Sequence, residues 1–145
     1  AVAVFLPSSV SAIIRGVDAY VSDRPPIFYF AKDESAALGW LREHAPLDAV
    51  VLSAADEGNV ISGWAFRSVY AGHWANTIDL GRKQEEIARF FGGASSDERR
   101  AFVADRGISY VYEGPSERAL GGSLAGDPAF QEVFRAGDIV VYVPR

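Results

Sequence analysis

Residues 49–53, with the sequence Ala-Val-Val-Leu-Ser, limit the possible folds more than any other stretch of this chain. The run is apolar up to its last residue and is bounded by polar residues. A strand with one face in water alternates apolar and polar side chains, whereas a strand covered on both faces does not. We therefore expect a central strand of a sheet that has helices packed on both faces.

Three other stretches have the period of an amphipathic helix. Asp33 is placed to cap a helix over residues 33–44, in which apolar positions recur at intervals of three and four. Residues 80–91 repeat this pattern and are followed by two glycines, which commonly end helices. A third helix starts where Ser95 and Glu98 have the spacing of a capping box.

Short strand patterns separate these helices. Residues 68–70 and 108–112 are each predicted to be a strand, and the chain closes with a hairpin of residues 132–135 and 139–143. Residues 54–59 are interpreted as a turn. Strands that alternate with helices favour a parallel sheet. These elements predict an α/β fold, a three-layer sandwich with a small, mostly parallel sheet and a C-terminal antiparallel β-hairpin.

The length of 145 residues and the 49% share of hydrophobic residues fit one domain with a buried core. We expect residues 33–145 to form this single α/β domain. Residues 1–32 are expected to be a lead-in arm or edge strand that follows a membrane segment. The apolar run of residues 1–6 is too short to cross a bilayer and fits either an edge strand or the clipped end of a membrane helix. The chain starts at Ala1 rather than Met, from which we expect a piece of a longer protein.

Charge and residue usage exclude several classes of function. The net charge is −5, and Lys and Arg are interspersed with carboxylates, which argues against a nucleic-acid partner. The chain contains no Cys, so disulfides, thiolate catalysis and cysteine-based zinc sites are excluded. The Gly-rich motifs that bind nucleotide phosphates are missing as well, and we predict no cofactor.

Polar residues follow three of the predicted strands where each strand ends. Asp56 and Glu57 follow the central strand, a Gly-His-Trp loop at residues 72–74 follows the next, and Glu113 follows the third. In an open parallel sheet, ligands bind outside the carboxyl ends of the strands. We therefore expect these loops to form one ligand or partner surface. The candidate contact residues are Asp56, Glu57, Arg67, Tyr70, Gly72, His73, Trp74, Asn76, Thr77 and Glu113.

The sequence does not assign a reaction to these residues. His73 is the only plausible general base, with Asp56 or Asp79 to orient it, but no Gly-x-Ser-x-Gly motif exposes a nucleophilic serine. The two histidines are too far apart in the sequence to have the spacing of a metal site. We therefore predict no catalytic residue and no metal ligand.

Two interpretations of the loop at residues 72–77 remain open. In the first, Trp74 packs over the edge of the sheet, while His73 and Thr77 satisfy backbone groups or cap the next helix. In the second, Trp74 stacks on the C–H face of a sugar ring, and nearby amides and carboxylates bind the hydroxyl groups. Further along the chain, Glu117 and Arg118 are interpreted as a solvated surface pair.

Several short motifs together resemble a known class of protein. They are Trp40-Leu41-Arg42, the strand at residues 50–52, RSVYAGHWANT at 67–77, Phe90-Phe91, GISYVY at 107–112, GPSER at 114–118 and VFRAGDIVVY at 133–142. Over residues 33–143 the chain is similar to the soluble C-terminal region of bacterial polytopic membrane glycosyltransferases. These enzymes are of the GT-C type, of the protein-mannosyltransferase or aminoarabinose-transferase kind.

The resemblance implies a setting rather than a mechanism. In such enzymes the catalytic carboxylate lies between early membrane helices, and no residue of this chain matches it. The resemblance implies a non-catalytic accessory domain that interacts with glycan or acceptor on the extracytoplasmic face of the bacterial membrane. Its partners would be the transmembrane part of the same polypeptide and a glycan or polyprenyl-phosphate sugar. The alternatives are a stand-alone α/β ligand-binding domain or enzyme with a site around His73, and a structural interaction module.

Overall fold

The computed structural model describes residues 31–145, and residues 32–145 form one compact unit. The expectations for the lead-in arm and for the apolar run of residues 1–6 lie outside the described residues. Within residues 31–145, none of the helices combines the length and the apolar character that crossing a bilayer requires.

Five helices and five strands make up the described part of the chain. The helices are α1 (Lys32–His44), α2 (Ala55–Trp64), α3 (Leu80–Gly92), α4 (Ser96–Asp105) and α5 (Pro115–Arg118). The strands are β1 (Val50–Leu52), β2 (Ser68–Val69), β3 (Tyr110–Glu113), β4 (Phe130–Ala136) and β5 (Ile139–Pro144). Every strand predicted within residues 31–145 is present, with ends that differ by a few residues.

The strands form one open sheet in the order β2-β1-β3-β5-β4. β1 pairs in parallel with β2 and with β3, which places Val51 beside Val69 and Tyr110. β5 pairs antiparallel with β3 and with its hairpin partner β4. The predicted α/β class is confirmed, because the sheet is parallel at one end and the C-terminal hairpin adds antiparallel strands at the other.

Both faces of the sheet are covered, which explains the continuous apolar run of β1. Val51 and Leu52 are both fully buried. Leu52 packs on one face in a cluster with Phe91 of α3. On the other face, Trp40 of α1 stacks on Phe134 with 5.4 Å between the ring centroids. Because successive side chains of a strand point to opposite faces, β1 needs apolar residues at every position.

The interpretation of residues 54–59 as a turn is wrong, because α2 already begins at Ala55. Gly58 is typical of a turn, but here its small size serves packing. A Cβ at Gly58 would lie 1.9 Å from the carbonyl oxygen of Ala71, so glycine lets α2 approach the segment after β2 closely. Asp56 and Glu57 occupy the first turn of the helix, where its dipole favours negative charge.

The capping box predicted at the start of α4 is present. Ser95 Oγ accepts the backbone N–H of Glu98 at 3.3 Å, and Glu98 Oε2 accepts the backbone N–H of Ser95 at 2.9 Å. The exposed carboxylate of Glu98 has its pKa lowered to about 2, chiefly by this backbone bond and by Arg89. The prediction that Asp33 caps α1 is wrong, because the helix begins at Lys32 and Asp33 lies in its first turn.

Candidate functional site

The carboxyl ends of β1, β2 and β3 meet at one edge of the sheet because the three strands are parallel. A cleft of about 200 Å³ opens at this edge, between the start of α2, one side of α3 and the α5 segment. The lining residues include Ala54, Ala55, Asp56, Gln84, Ser116 and Leu120. Of the residues predicted from the sequence, Asp56 is the one that lines this cleft.

Glu117 connects the two strand ends beneath the cleft. Its side chain is fully buried. Oε1 accepts the backbone N–H of Ala54 at 2.7 Å, just after β1, and Oε2 accepts the backbone N–H of Gly114 at 2.8 Å, just after β3. The carboxylate therefore fixes the spacing between β1 and β3 at their carboxyl ends.

The interpretation of Glu117 as half of a solvated surface pair is wrong. Burial raises the pKa of the Glu117 carboxyl to about 7, although the N–H groups of Ala54 and Gly114 act in the opposite direction. The local sequence does carry a signal for this role. A Glu three residues after the N-cap Gly114, with Pro115 between them, has the spacing from which a carboxylate reaches back to the N-cap N–H.

The rim of the cleft is acidic. Asp56 is exposed, and Glu57 is partly buried. Glu57 Oε1 accepts the hydroxyl of Ser116 at 2.9 Å, which joins α2 to α5. Asp56 thus lines the cleft, Glu57 accepts a hydrogen bond from the lining residue Ser116, and the buried carboxylate of Glu117 accepts one from the lining residue Ala54. This concentration of negative charge is unfavourable for an anionic ligand.

The buried carboxylate of Glu113 stabilises a neighbouring loop. Its side chain is 2% exposed. Oε1 accepts the hydroxyl of Ser123 and Oε2 accepts the backbone N–H of Leu124, each at 2.7 Å, and Arg118 Nη1 lies 3.6 Å from Oε1. The carboxylate therefore holds the loop after α5 and is not presented to the cleft.

The loop at residues 72–79 is braced by its own hydrogen bonds. The backbone N–H of Gly72 donates to Thr77 Oγ1 at 3.0 Å, and the carbonyl oxygen of His73 accepts the N–H groups of Asn76 and Thr77. The ring of His73 accepts the N–H of Ala75 at 3.2 Å through Nδ1. In the described part of the chain this ring has no carboxylate partner, so it lacks the group that would orient a general base.

The same loop presents two large apolar side chains to solvent. Trp74 is 75% exposed and Ile78 is 81% exposed. The ring of Trp74 lies against His73, with 5.5 Å between the centroids. The expectation that Trp74 packs over the sheet edge is therefore wrong, whereas Thr77 does satisfy a backbone group as that interpretation proposed. The exposed polar side chain of Asn76 lies between the two apolar ones in sequence.

Tyr70 and Gly72 contribute to packing rather than to an exposed surface. The side chain of Tyr70 is 7% exposed, and its hydroxyl donates to the carboxylate of Glu86 on α3. Lys83 Nζ donates to the carbonyl oxygen of Tyr70 at 2.8 Å. Gly72 is buried beside Gly58 of α2. These contacts connect the start of the loop to α2 and α3.

Arg67 immediately precedes β2, so it lies at the amino ends of the parallel strands, opposite the cleft at their carboxyl ends. Its guanidinium is buried and donates to the carbonyl oxygens of Ala45, Ala65, Phe66 and Arg42, at distances between 2.7 and 3.1 Å. These acceptors lie after α2 and near the end of α1. Arg67 therefore holds two helix ends together and is not part of the cleft.

A larger groove of about 510 Å³ lies between α3 and α4. Its floor includes Phe90 and Phe102. Arg89 on α3 pairs with Glu98 on α4 at 2.5 Å, and Glu86 pairs with Arg106 at 3.1 Å. Because these rim charges are paired with each other, the groove offers less to orient a ligand than the cleft does.

The structure thus brings together only part of the predicted site. Asp56 lines the cleft, and Glu57 is hydrogen-bonded to its lining residue Ser116. The loop that carries His73 and Trp74 packs against α2 through its first residues. Arg67 lies elsewhere, and Tyr70 and Glu113 are buried in other contacts. The residues that sequence reasoning missed are Gln84, Ser116, Glu117 and Leu120. No group of three potential ligand side chains suited to a metal ion occurs among residues 31–145.

The fold is similar to that of a solved structure. The C-terminal globular domain of an oligosaccharyltransferase from Archaeoglobus fulgidus matches with a TM-score of 0.62 and 19% sequence identity. The match covers 81% of this chain and 99% of that domain. At this identity the likeness shows a shared fold. The sequence matches no family model, and no curated protein matches it.

Proposed function

We propose that this chain is a non-catalytic accessory domain of a membrane-bound glycosyltransferase that uses a lipid-linked sugar donor. The observation that carries the proposal is the match to 99% of a globular domain from an oligosaccharyltransferase, at a TM-score of 0.62. Because that match speaks for fold alone, the sequence resemblance over residues 33–143 gives independent support. Both lines of reasoning lead to a globular domain attached to a glycosyltransferase.

In this proposal the domain lies on the extracytoplasmic face of the bacterial membrane. Its partners are the transmembrane part of the same polypeptide and a glycan or polyprenyl-phosphate sugar. The braced loop at residues 72–79 is the contact surface, because most of the surface of Trp74 and of Ile78 is exposed to solvent. An exposed tryptophan is well suited to a partner because its ring buries a large apolar area on binding.

The dimensions of the cleft also fit an accessory role. Its volume of about 200 Å³ is below the roughly 300–1,000 Å³ of pockets that enclose a drug-sized ligand. It has room for one group, such as a single sugar ring or an acceptor side chain, and not for a sugar joined to its lipid carrier. The reaction itself would then take place in another part of the parent enzyme.

A transfer assay on the parent polypeptide in membranes tests this function. Trp74→Ala should lower the rate of sugar transfer from a polyprenyl-phosphate donor about tenfold, the effect of losing one well-packed aromatic contact. Trp64→Ala is the matched control, since Trp64 is 58% exposed and ends α2 at the other edge of the sheet. It should leave the rate unchanged.

One result would overturn the proposal, and a second would overturn the contact surface assigned within it. The first is an upstream coding region without several segments of about 20 apolar residues, because the parent would then not be a polytopic membrane protein. The second is equal transfer by the Trp74 and Trp64 variants in a parent that does transfer sugar. The second result would remove the loop as a contact surface.

A stand-alone enzyme or ligand-binding domain around His73 is less well supported. That function requires a concave site with His73 held by a carboxylate. The His73 ring instead accepts the N–H of Ala75, and it does not line the cleft. A structural interaction module is favoured by the exposure of Trp74 and Ile78, which the proposed accessory domain also uses.

A further inference from the structure

Among residues 31–145, the combination of three features sets Glu117 apart from the other carboxylates. It lies at the carboxyl ends of β1 and β3, where the strand order reverses. The chain passes from β1 to β2 on one side of β1 and later returns to β3 on the other side. Glu117 is fully buried. Its two oxygens accept backbone N–H groups from the ends of both strands, at 2.7 and 2.8 Å.

Backbone N–H groups at this position of an α/β sheet have a characteristic use. The crevice outside the carboxyl ends of neighbouring strands, at the point where the strand order reverses, is where such folds bind ligands. Converging N–H groups there make a concavity that binds phosphates and carboxylates. In this chain the N–H groups of Ala54 and Gly114 converge in that way, and the group they bind is the carboxylate of Glu117.

We infer that Glu117 is a built-in occupant of the anion position at this crossover, so that the cleft above it excludes phosphates and carboxylates and accepts an uncharged, hydroxyl-rich ligand such as a sugar ring. The inference deepens the proposed function and rests on it for the identity of the ligand. The occupancy of the anion position by Glu117 stands independently of that function.

The rim supports the same selection. A phosphate in the cleft would meet Asp56 in the lining, with the carboxylates of Glu57 and Glu117 bound to the lining residues Ser116 and Ala54. The N–H group of Ala54 is already used by Glu117. A neutral sugar has no such penalty. Its hydroxyl groups could donate to Asp56 and accept from the amide of Gln84, both of which line the cleft.

The occupancy is tested by emptying the position in the 145-residue chain at pH 8. Glu117→Ala removes the carboxylate, and added acetate can take its place. Acetamide is the uncharged comparison, because it has the same shape as acetate without the charge. Acetate should raise the melting temperature of the variant and move the amide NMR resonances of Ala54 and Gly114. Acetamide and an equal concentration of chloride should do neither.

The control is Glu57→Ala, which removes one negative charge next to the lining residue Ser116 without emptying the anion position. Acetate should not move the resonances of Ala54 and Gly114 in this variant or in the unaltered chain. Equal effects of acetate and acetamide on Glu117→Ala, or a shift of these two resonances by phosphate in the unaltered chain, would overturn the inference.

A second variant keeps the test informative if Glu117→Ala does not fold. Glu117→Gln has one oxygen that can accept and one NH₂ that cannot. One of the two amides, of Ala54 or Gly114, should therefore exchange its hydrogen at least about tenfold faster than in the unaltered chain, a change that corresponds to losing one buried hydrogen bond. Unchanged exchange at both amides would contradict the role assigned to Glu117.

The ligand class is tested on the unaltered chain with methyl glucopyranoside and glucose 6-phosphate. The neutral sugar should move the resonances of Asp56 and Ser116, and the phosphorylated sugar should move them less at the same concentration. A preference for the phosphorylated sugar would overturn the selection. If acetate fills the emptied position but neither sugar binds, the ligand class and its link to the proposed function fail, while the role of Glu117 stands.

Discussion

Glu117 accepts a hydrogen bond from the backbone N–H of Ala54, which lies 63 positions earlier in the chain, at 2.7 Å. With the bond from Gly114 at 2.8 Å, it joins the carboxyl ends of two parallel strands through one buried side chain. The cleft at the edge of the sheet lies directly against this connection, so its shape depends on the carboxylate.

The charge of Glu117 makes the stability of the chain depend on pH. Burial raises the pKa of its carboxyl to about 7 in the folded chain, above the ordinary value of 4.5 for a glutamate. A raised pKa means that the folded state binds the proton more tightly than the unfolded state. Stability from this group is therefore fully present below about pH 4.5 and is lost as pH rises through about 7, for a total of about 3 kcal/mol.

Urea unfolding at pH 4.5 and pH 8 measures this contribution. From pH 4.5 to pH 8 the free energy of unfolding of the unaltered chain should fall by about 3 kcal/mol more than that of Glu117→Gln. The reason is that glutamine does not titrate. The difference between the two pH values is compared, since the substitution also changes hydrogen bonding. Parallel pH profiles of the two proteins would show that Glu117 has an ordinary pKa.

Gly58 should tolerate no side chain. A Cβ there would lie 1.9 Å from the carbonyl oxygen of Ala71, so Gly58→Ala must push α2 away from the segment after β2. We expect a loss of about 2 kcal/mol or more in the free energy of unfolding. Gly63 is the matched control in the same helix, because a Cβ there meets nothing within 4 Å. Gly63→Ala should stabilise the chain by up to about 1 kcal/mol, and equal effects of the two substitutions would contradict the packing described.

Arg67 should be among the most sensitive polar residues. Arg67→Met removes a buried guanidinium that donates to four backbone carbonyl groups, and those oxygens would be left without these donors. The expected loss in the free energy of unfolding is about 3 kcal/mol. Arg89→Met should cost less than about 1 kcal/mol, because Arg89 is 73% exposed in its pair with Glu98. A loss at Arg67 no larger than that at Arg89 would contradict the structural role.

The local parts of this structure could be predicted from the sequence. The capping box of Ser95 and Glu98 was found because both partners lie within four residues, and β1 was found because burial on both faces leaves a continuous apolar run. The parallel pairing of the strands near β1 followed from the alternation of strands and helices. In each case the sequence pattern and the structural cause occupy the same short segment.

The parts that sequence reasoning missed depend on distant contacts. Gly58 was assigned to a turn because its partner, Ala71, is known only from the packed structure. Glu117 was assigned to the surface because its bond to Ala54 spans 63 positions. Arg67 was placed with the site because it adjoins a polar loop in sequence, although a strand separates the two and carries them to opposite edges of the sheet.

The exposed loop residues should matter little for folding. Trp74 and Ile78 are 75% and 81% exposed, so Trp74→Ala and Ile78→Ser should each change the free energy of unfolding by less than about 0.5 kcal/mol. Urea unfolding followed by far-UV circular dichroism checks this without relying on tryptophan fluorescence. A large loss from either substitution would mean that the side chain packs within the domain and is not available to a partner.

Amide hydrogen exchange of residues 72–79 tests the central claim most directly, when it is compared between the 145-residue chain and the parent polypeptide in membranes. If the loop contacts the membrane-embedded part or its glycan, exchange should be at least about tenfold slower in the parent, with residues 96–105 of α4 as an internal reference that does not change. Equal exchange of the loop in the two samples would contradict the account, because the surface presented by Trp74 and Ile78 would then have no partner in the parent protein.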